Sequence, residues 1–412
     1  MLSFVPVIAL IAATSDPGRS GPVPLREAAT RAVAGEASAV QTDPATPAGV
    51  TITHEDGRTT LSLDNARISL SNRLQIRFIN ETPAGNTRLP GTTTDGQSKA
   101  SFRIRRAKTS LEGWVWKKEL TFDLQLSWAG PEAGASTQTP LEDALLTWDA
   151  SKKGSFLITI GQFKTPLGRQ EMTSSGRQQF ADRSLLSGEF SRGRDVGIQF
   201  HGRAASDKLA YFAGVFNGNA ASRGSNDNSK LQYNGRLSYE PLGPVSLSES
   251  AFEGWDKPLL AVAAQFENND LSGATNLTDL NTTVVGGDLV FKHKGFSIFA
   301  EYFNRKRKLE ANSGSNPSGG TPAAAGGAYH SNAYHIQAGY FLKRDKVEIA
   351  GRIAGYDPSD RFPSNNRRET GGALIYYFLK HNLKVLGDFR ALRDDLVRGT
   401  EKELRIQAQF HF

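Results

Sequence analysis

Residues 403–412 read ELRIQAQFHF, and the period of this stretch decides the fold. Leu404, Ile406, Ala408, Phe410 and Phe412 share one face of an extended chain, and Glu403, Arg405, Gln407, Gln409 and His411 share the other. A repeat of two belongs to a β-strand, whose successive side chains point to opposite sides. The pattern recurs in 231–240, where Leu231, Tyr233, Gly235, Leu237 and Tyr239 oppose Gln232, Asn234, Arg236, Ser238 and Glu240. It recurs again in 120–128, where Leu120, Phe122, Leu124, Leu126 and Trp128 oppose Thr121, Asp123, Gln125 and Ser127.

Sixteen such segments start near Ile68, Phe102, Leu120, Ala144, Phe156, Val196, Leu209, Leu231, Leu259, Val284, Phe296, Tyr334, Val347, Ala373, Leu383 and Leu404. Each approaches the roughly 9–11 residues with which a tilted strand crosses a bilayer. The connections alternate in length. Those at 117–118 and 294–295 are tight, whereas those at 82–99, 267–281 and 309–331 are long and rich in Gly, Ser, Asn and Thr. Short turns at one end and long loops at the other are the layout of an outer-membrane barrel, not of a soluble sandwich. The expected fold is therefore all-β: a 16-stranded antiparallel transmembrane β-barrel over 66–412. Trp114, Trp116, Trp128, Trp148, Tyr376 and Tyr377 are placed to form its interfacial girdles.

Composition agrees and narrows the function. The 412 residues include 41 Gly and no Cys, which excludes disulfides, cysteine nucleophiles and thiolate metal sites. Mean hydropathy is −0.41, and beyond the first fifteen positions no window approaches the ~20 apolar residues of a spanning helix. Net charge is +7, with 49 basic against 42 acidic residues. The basic residues alternate with apolar ones along strands instead of clustering with stacking aromatics, so no nucleic-acid partner is expected.

Residues 2–13, LSFVPVIALIAA, have the length and polarity of a signal-peptide core, and 1–15 are read as a signal peptide. The usual basic segment ahead of the core is missing, so the reading includes a truncated or misplaced start. Residues 16–65, poor in large apolar side chains over their first two thirds, are expected to be a disordered Ala/Pro-rich leader.

A barrel of this size encloses an aqueous lumen, so inward polar groups are not expected to need dry partners. Parity assigns Arg73, Arg77, Arg103, Arg105, Arg236, Lys292, Arg352, Lys384, Arg390 and Arg405 to the lumen wall. Asp123, Glu240, Asp288, Glu301, Glu348, Asp388 and Glu403 oppose them. The segment KTPLGRQEMTSSGRQQFADRSLLSGEFSRGRD from Lys164 breaks the rhythm. Met172, Phe180, Leu185, Leu186 and Phe190 give it apolar anchors, and a loop folded into the lumen as a constriction is expected. Lys164, Arg169, Arg177, Arg183, Arg192 and Arg194 then form an anion-binding ring; for Arg183 and Arg194 the alternative is that Asp182–Arg183 and Arg194–Asp195 are structural pairs pinning the loop to the wall.

FRIRRAKTSLEGWVWKKELTFDLQL from Phe102, GQFKTPLGRQEMTSS from Gly161, the following DRSL, and GRDVGIQF from Gly193 resemble the phosphate-selective porin O/P family of bacterial outer membranes. The C-terminal Phe412 resembles the aromatic assembly signal of such barrels. The resemblance implies a homotrimer with one pore per barrel, no cofactor and no metal. It also implies contacts with outer-membrane lipid, lipopolysaccharide and the barrel-assembly machinery, and passive diffusion of phosphate, polyphosphate or other small anions. One position departs: where phosphate-specific members carry a lysine shortly after the GxF motif, this chain has Glu171. A general or sugar-preferring porin is the alternative, with only Phe299 and Phe303 as inward aromatics. An outer-membrane phospholipase is a further alternative, but none of the seven histidines sits in a catalytic or metal spacing; His330 and His335 are five apart.

Overall fold

The computed structural model describes residues 49–84, 98–129, 140–191, 193–221, 225–271, 280–309, 327–361, 364–397 and 399–412. The expected signal peptide, most of the expected leader and Arg192 lie outside them. Eighteen strands form one antiparallel sheet. They are β1 (Thr51–Glu55), β2 (Arg58–Leu63), β3 (Ala66–Thr82), β4 (Lys99–Val115), β5 (Leu120–Ser127), β6 (Leu141–Asp149), β7 (Leu157–Lys164), β8 (Arg194–Ala204) and β9 (Leu209–Phe216). The rest are β10 (Gln232–Tyr239), β11 (Leu259–Asp270), β12 (Leu280–His293), β13 (Phe296–Leu309), β14 (Gly327–Lys343), β15 (Val347–Asp357), β16 (Arg367–Leu379), β17 (Leu383–Asp394) and β18 (Glu401–His411).

From β3 onward each strand pairs with the next, and β18 returns to β3 from Lys402↔Thr82 to His411↔Arg73. The sixteen strands thus close into a barrel with no free edge, which is what lets a sheet satisfy every backbone group in lipid. All sixteen expected segments are present. Several start earlier than the alternation shows: β14 begins at Gly327, seven residues before Tyr334, because the outward positions Ala328, His330 and Asn332 are small or polar and form no apolar row. In β18 the polar row Glu403, Arg405, Gln407 and Gln409 is buried while Leu404, Ile406 and Phe410 are exposed. Apolar-out and polar-in is the inverse of a soluble protein and suits a lipid surround.

Two corrections concern the chain before β3 and the connections. Part of the expected leader is ordered: β1 and β2 form a hairpin on the lower part of β3, from Thr59↔Leu70 to Leu63↔Ala66. Its tight turn uses Asp56 and Gly57, both at positive φ. Only glycine fits at 57, where a Cβ would meet the His411 carbonyl oxygen at 2.6 Å. Arg58 pairs with Glu112 of β4 and ties the hairpin down. The rule of short turns at one end also has an exception, residues 240–258, a connection of nineteen residues among two- to seven-residue turns.

A β-bulge between Gln75 and Ile76 of β3 pairs Gln75 with Arg106 and Ile76 with Ile104, leaving Arg105 as the extra residue of β4. Arg105 and Arg106 consequently both reach the interior, and the inward parity of the rest of β4 shifts by one.

Residues 165–191 lie inside the barrel. Leu167, Leu186 and Phe190 pack on Val284, Phe303, Ala333, Ala354 and Tyr356 of the wall. Phe180 and Ala181 pack on Phe341, Ala350, Ala373, Ile375, Tyr377 and Leu386. The apolar inward residues of β12–β17 therefore serve as a dry seat for the loop, and burying each large side chain there stabilises it by about 1.5–3 kcal/mol.

Candidate functional site

The loop contains two single-turn helices, α1 (Arg169–Met172) and α2 (Ser187–Phe190), joined by an irregular stretch that reaches the far wall. Its backbone is fastened by wall side chains. Ala181 N donates to Asp388 at 2.7 Å, Leu185 N to Glu369 at 2.8 Å, and Gln170 N to Glu301 at 3.1 Å. Lys384 donates to the Gln178 carbonyl at 2.6 Å, and Gln409 to that of Gly176 at 3.0 Å.

The connection 240–258 meets the loop from the other end. Glu249 accepts from Gln170 Nε2 at 3.0 Å, from Gln179 N at 2.7 Å and from Gln337 Nε2 at 2.8 Å. Ser250 bonds Tyr377 at 2.8 Å, Ser248 bonds His381 at 3.0 Å, and Phe252 packs on Phe341, Tyr377 and His381. The two inward segments together fill the side of the barrel bounded by β11–β17.

Open space remains along β3–β6. A cavity of about 480 Å³ lies between the loop and that wall, and a larger one of about 1440 Å³ adjoins it, bordered also by the β1–β2 hairpin. Arg73, Lys108, Asp123, Gln125, Leu145 and Ser174 line both. The smaller cavity is faced by Arg73, Arg105, Arg106, Lys108, Lys164, Arg183 and Arg194 against only Asp123, Glu142 and Asp143. Leu145, Phe163 and Met172 supply its apolar surface.

These cations differ in what already holds them. Arg73 Nη1 donates to the Ser174 hydroxyl at 2.8 Å, and Lys164 Nζ to the carbonyls of Glu171 at 2.5 Å and Thr173 at 3.3 Å, so both bond neutral acceptors. Lys108 pairs with Glu142. Arg194 pairs with Glu142 at 3.1 Å and with Asp143 at 2.7 Å. Arg183 bonds the carbonyls of Gln170, Glu171 and Thr173 and stands 3.5 Å from the Glu171 carboxylate. Glu171, the departing position, is thus turned to Arg183 and Ser187.

Of the six expected loop cations, Lys164, Arg183 and Arg194 line the smaller cavity and Arg177 the larger. Arg169 does not join them: it is 5% exposed on the opposite side of the loop, donating to the carbonyls of Ser246 at 2.7 Å and Val245 at 3.4 Å. Burial lowers its pKa. The expected pinning pairs also differ. Asp182 turns to Arg77, Arg105 and Arg106, and Asp195 accepts from the backbone of Val196 and Gly218.

The lumen-wall set divides likewise. Arg73 and Arg105 face the cavity, and Arg103 pairs in register with Arg77. Arg236 is buried against Asp288 at 2.6 Å, Arg352 against Glu369 at 2.5 Å, and Arg405 against Asp388 at 2.6 Å; Arg390 holds Glu403 at 2.6 Å. The expectation that inward charges would stand in open water fails for these four, because the loop covers them and a covered charge needs a partner. Phe299 and Phe303 are covered too, at 6% and 2% exposure, and His335 is buried beside Phe299 with Glu301 at 3.8 Å.

Sequence reasoning missed Arg106, Lys108, Glu142, Asp143 and Ser174. The first two are hidden by the bulge, which breaks parity within FRIRRAKTS; a run of four cations in six residues, Arg103, Arg105, Arg106 and Lys108, was the available signal.

Comparison with known proteins agrees with this architecture. No curated protein matches the sequence. Among solved structures, an anion-selective porin from Comamonas acidovorans is similar over 84% of this chain and 100% of its own, at 12% identity and a TM-score of 0.57. The outer-membrane channel DcaP of Acinetobacter baumannii is similar over 84% and 98%, at 12% identity and a TM-score of 0.58. The trimer form of OmpT, an outer-membrane protein of Vibrio cholerae, is similar over 85% and 100%, at 10% identity and a TM-score of 0.54. At such identities these likenesses establish the barrel. The profile of the phosphate-selective porin O and P family matches residues 81–412, so the chain belongs to that family and is a porin channel of the bacterial outer membrane.

Proposed function

We propose that the channel passes small anions, phosphate and other oxyanions among them, by diffusion along the β3–β6 wall. The observation that carries this is the smaller cavity, where seven basic residues face three acidic ones and where, among the described residues, Arg73 and Lys164 bond neutral groups. A confined positive surface concentrates anions and excludes cations, while partly hydrated sites of modest depth let each ion leave. Glu171 in place of the family's lysine favours a general anion preference over tight phosphate retention. The description of the Comamonas structure as anion-selective is in keeping with this reading.

The same reading includes assembly as a homotrimer, as in the trimer form of the Vibrio protein, in contact with outer-membrane lipid and lipopolysaccharide, with Phe412 presented to the assembly machinery. No cofactor enters the mechanism. The test is the reversal potential of the protein in planar bilayers under a KCl gradient. A shift toward the chloride potential is expected, and a shift toward the potassium potential would refute the anion reading.

A further inference from the structure

Asp182 is the only acidic residue of the loop that sits among the wall arginines of β3, β4 and β18. Its Oδ2 accepts from Arg77 Nη1 at 2.5 Å and stands 3.5 Å from Arg405 Nη1. Its Oδ1 receives Arg77 Nη2 at 3.2 Å, Arg105 Nε at 3.2 Å, Arg105 Nη2 at 3.0 Å and Arg106 Nη2 at 3.3 Å. Four N–H groups thus converge on one oxygen, which has about two lone-pair directions to offer. Their distances exceed the roughly 2.7–2.9 Å of a well-formed charge-assisted bond. The carboxylate is too small an acceptor for the cluster that surrounds it.

We propose that Asp182 is a tethered internal anion occupying an oxyanion site built by Arg77, Arg105, Arg106 and Arg405, and that it thereby weakens retention of free oxyanions in the channel. A tetrahedral oxyanion such as phosphate or sulfate carries three or four acceptor oxygens and could give each converging donor its own lone pair. The site is reachable, since Arg105 and Arg106 also face the smaller cavity. The loop has other fastenings, at Ala181, Leu185 and Gln170, so its path does not rest on Asp182 alone. This inference rests on the anion reading and makes Asp182 a determinant of specificity within it.

The test is phosphate block of chloride current through trimers in planar bilayers. Asp182→Asn keeps the side-chain shape and removes the charge, and half-block is expected at a phosphate concentration about tenfold below that of the natural protein, the loss of one strong charged competitor. Sulfate should block similarly, and Arg106→Gln in the Asp182→Asn background should return the block to its original concentration. An Asp182→Asn channel with unchanged phosphate block, or with raised conductance and no block, would show that Asp182 only pins the loop. If neither Asp182→Asn nor Asp182→Ser forms barrels, the carboxylate is a structural requirement and the proposal falls. The reversal potential of the natural protein in KCl is read separately, so a cation-selective result would refute the anion reading while the change in block still reports on Asp182.

Discussion

Arg194, the first residue of β8, grips Asp143 of β6 at two points across β7, Nε to Oδ1 at 2.9 Å and Nη2 to Oδ2 at 2.7 Å. The contact fixes the exit of the inward loop onto the wall and cancels one cation of the cavity. Asp143→Asn should therefore increase the chloride-to-potassium permeability ratio about two- to fivefold, the equivalent of ~0.5–1 kcal/mol for a partly hydrated charge. Reversal potentials at low and high salt check this, and the effect should shrink at high salt as screening shortens its reach.

Lys164 and Arg169 are five residues apart and should behave differently. Lys164→Gln removes a charge on the cavity and should lower anion preference about two- to fivefold. Arg169→Gln removes one that faces the carbonyls of Val245 and Ser246, and should leave selectivity unchanged while lowering thermal stability. Equal effects on selectivity would mean that the loop does not present Lys164 to the permeating ion.

Glu249 joins the two inward segments through bonds accepted from Gln170 and Gln179, and accepts a third from Gln337 of the β14 wall. Glu249→Ala strands their donors in a covered site, and each bond to a charged acceptor is worth about 1.5–3 kcal/mol. Single-channel recording should show larger and noisier conductance as the filled side of the lumen loosens, and the temperature at which the barrel unfolds should fall.

Two buried groups outside the strands set successive limits to acid stability. Burial, reinforced by Lys384, Arg177 and Lys292, holds the pKa of His381 well below its ordinary value. The folded state keeps this imidazole neutral, so its contribution is complete above the unfolded pKa of about 6.5 and is lost as pH falls below it. Burial would raise Asp182, but Arg77, Arg106 and Arg105 outweigh it and hold the carboxyl well below the usual range. That contribution is complete above about pH 4 and is lost only as pH falls further, through the folded value. Urea stability should thus decline between about pH 7 and 5, and His381→Phe should flatten this first decline and leave the second.

Phe412 stacks on Phe410 with ring centroids 4.7 Å apart, and its backbone exchanges hydrogen bonds with Asn72. Phe412→Ser keeps the backbone contacts and removes the terminal ring. The amount of barrel in the outer membrane should fall while the conductance of assembled channels is unchanged. Unaltered membrane levels would remove Phe412 from any role in assembly.

The strands were legible in the sequence because each wall residue answers to one local rule: lipid on one side demands Leu404, Ile406 and Phe410, and the interior permits Arg405, Gln407 and Gln409. That rule has a period of two and needs no knowledge of the rest of the chain. It also located the inward loop, as the place where the period stops. What it could not contain is which inward charges remain open. Arg73 and Arg405 are indistinguishable by parity, yet one lines the cavity and the other is fully buried against Asp388 and Asp182. The difference arises from where the loop and residues 240–258 come to rest, through contacts between positions more than a hundred residues apart, such as Arg77 with Asp182. The bulge that turns both Arg105 and Arg106 inward is likewise a property of the β3–β4 pairing, which neither strand encodes alone. Alternation determined the barrel; only the packing of its contents decided which charges face the remaining space.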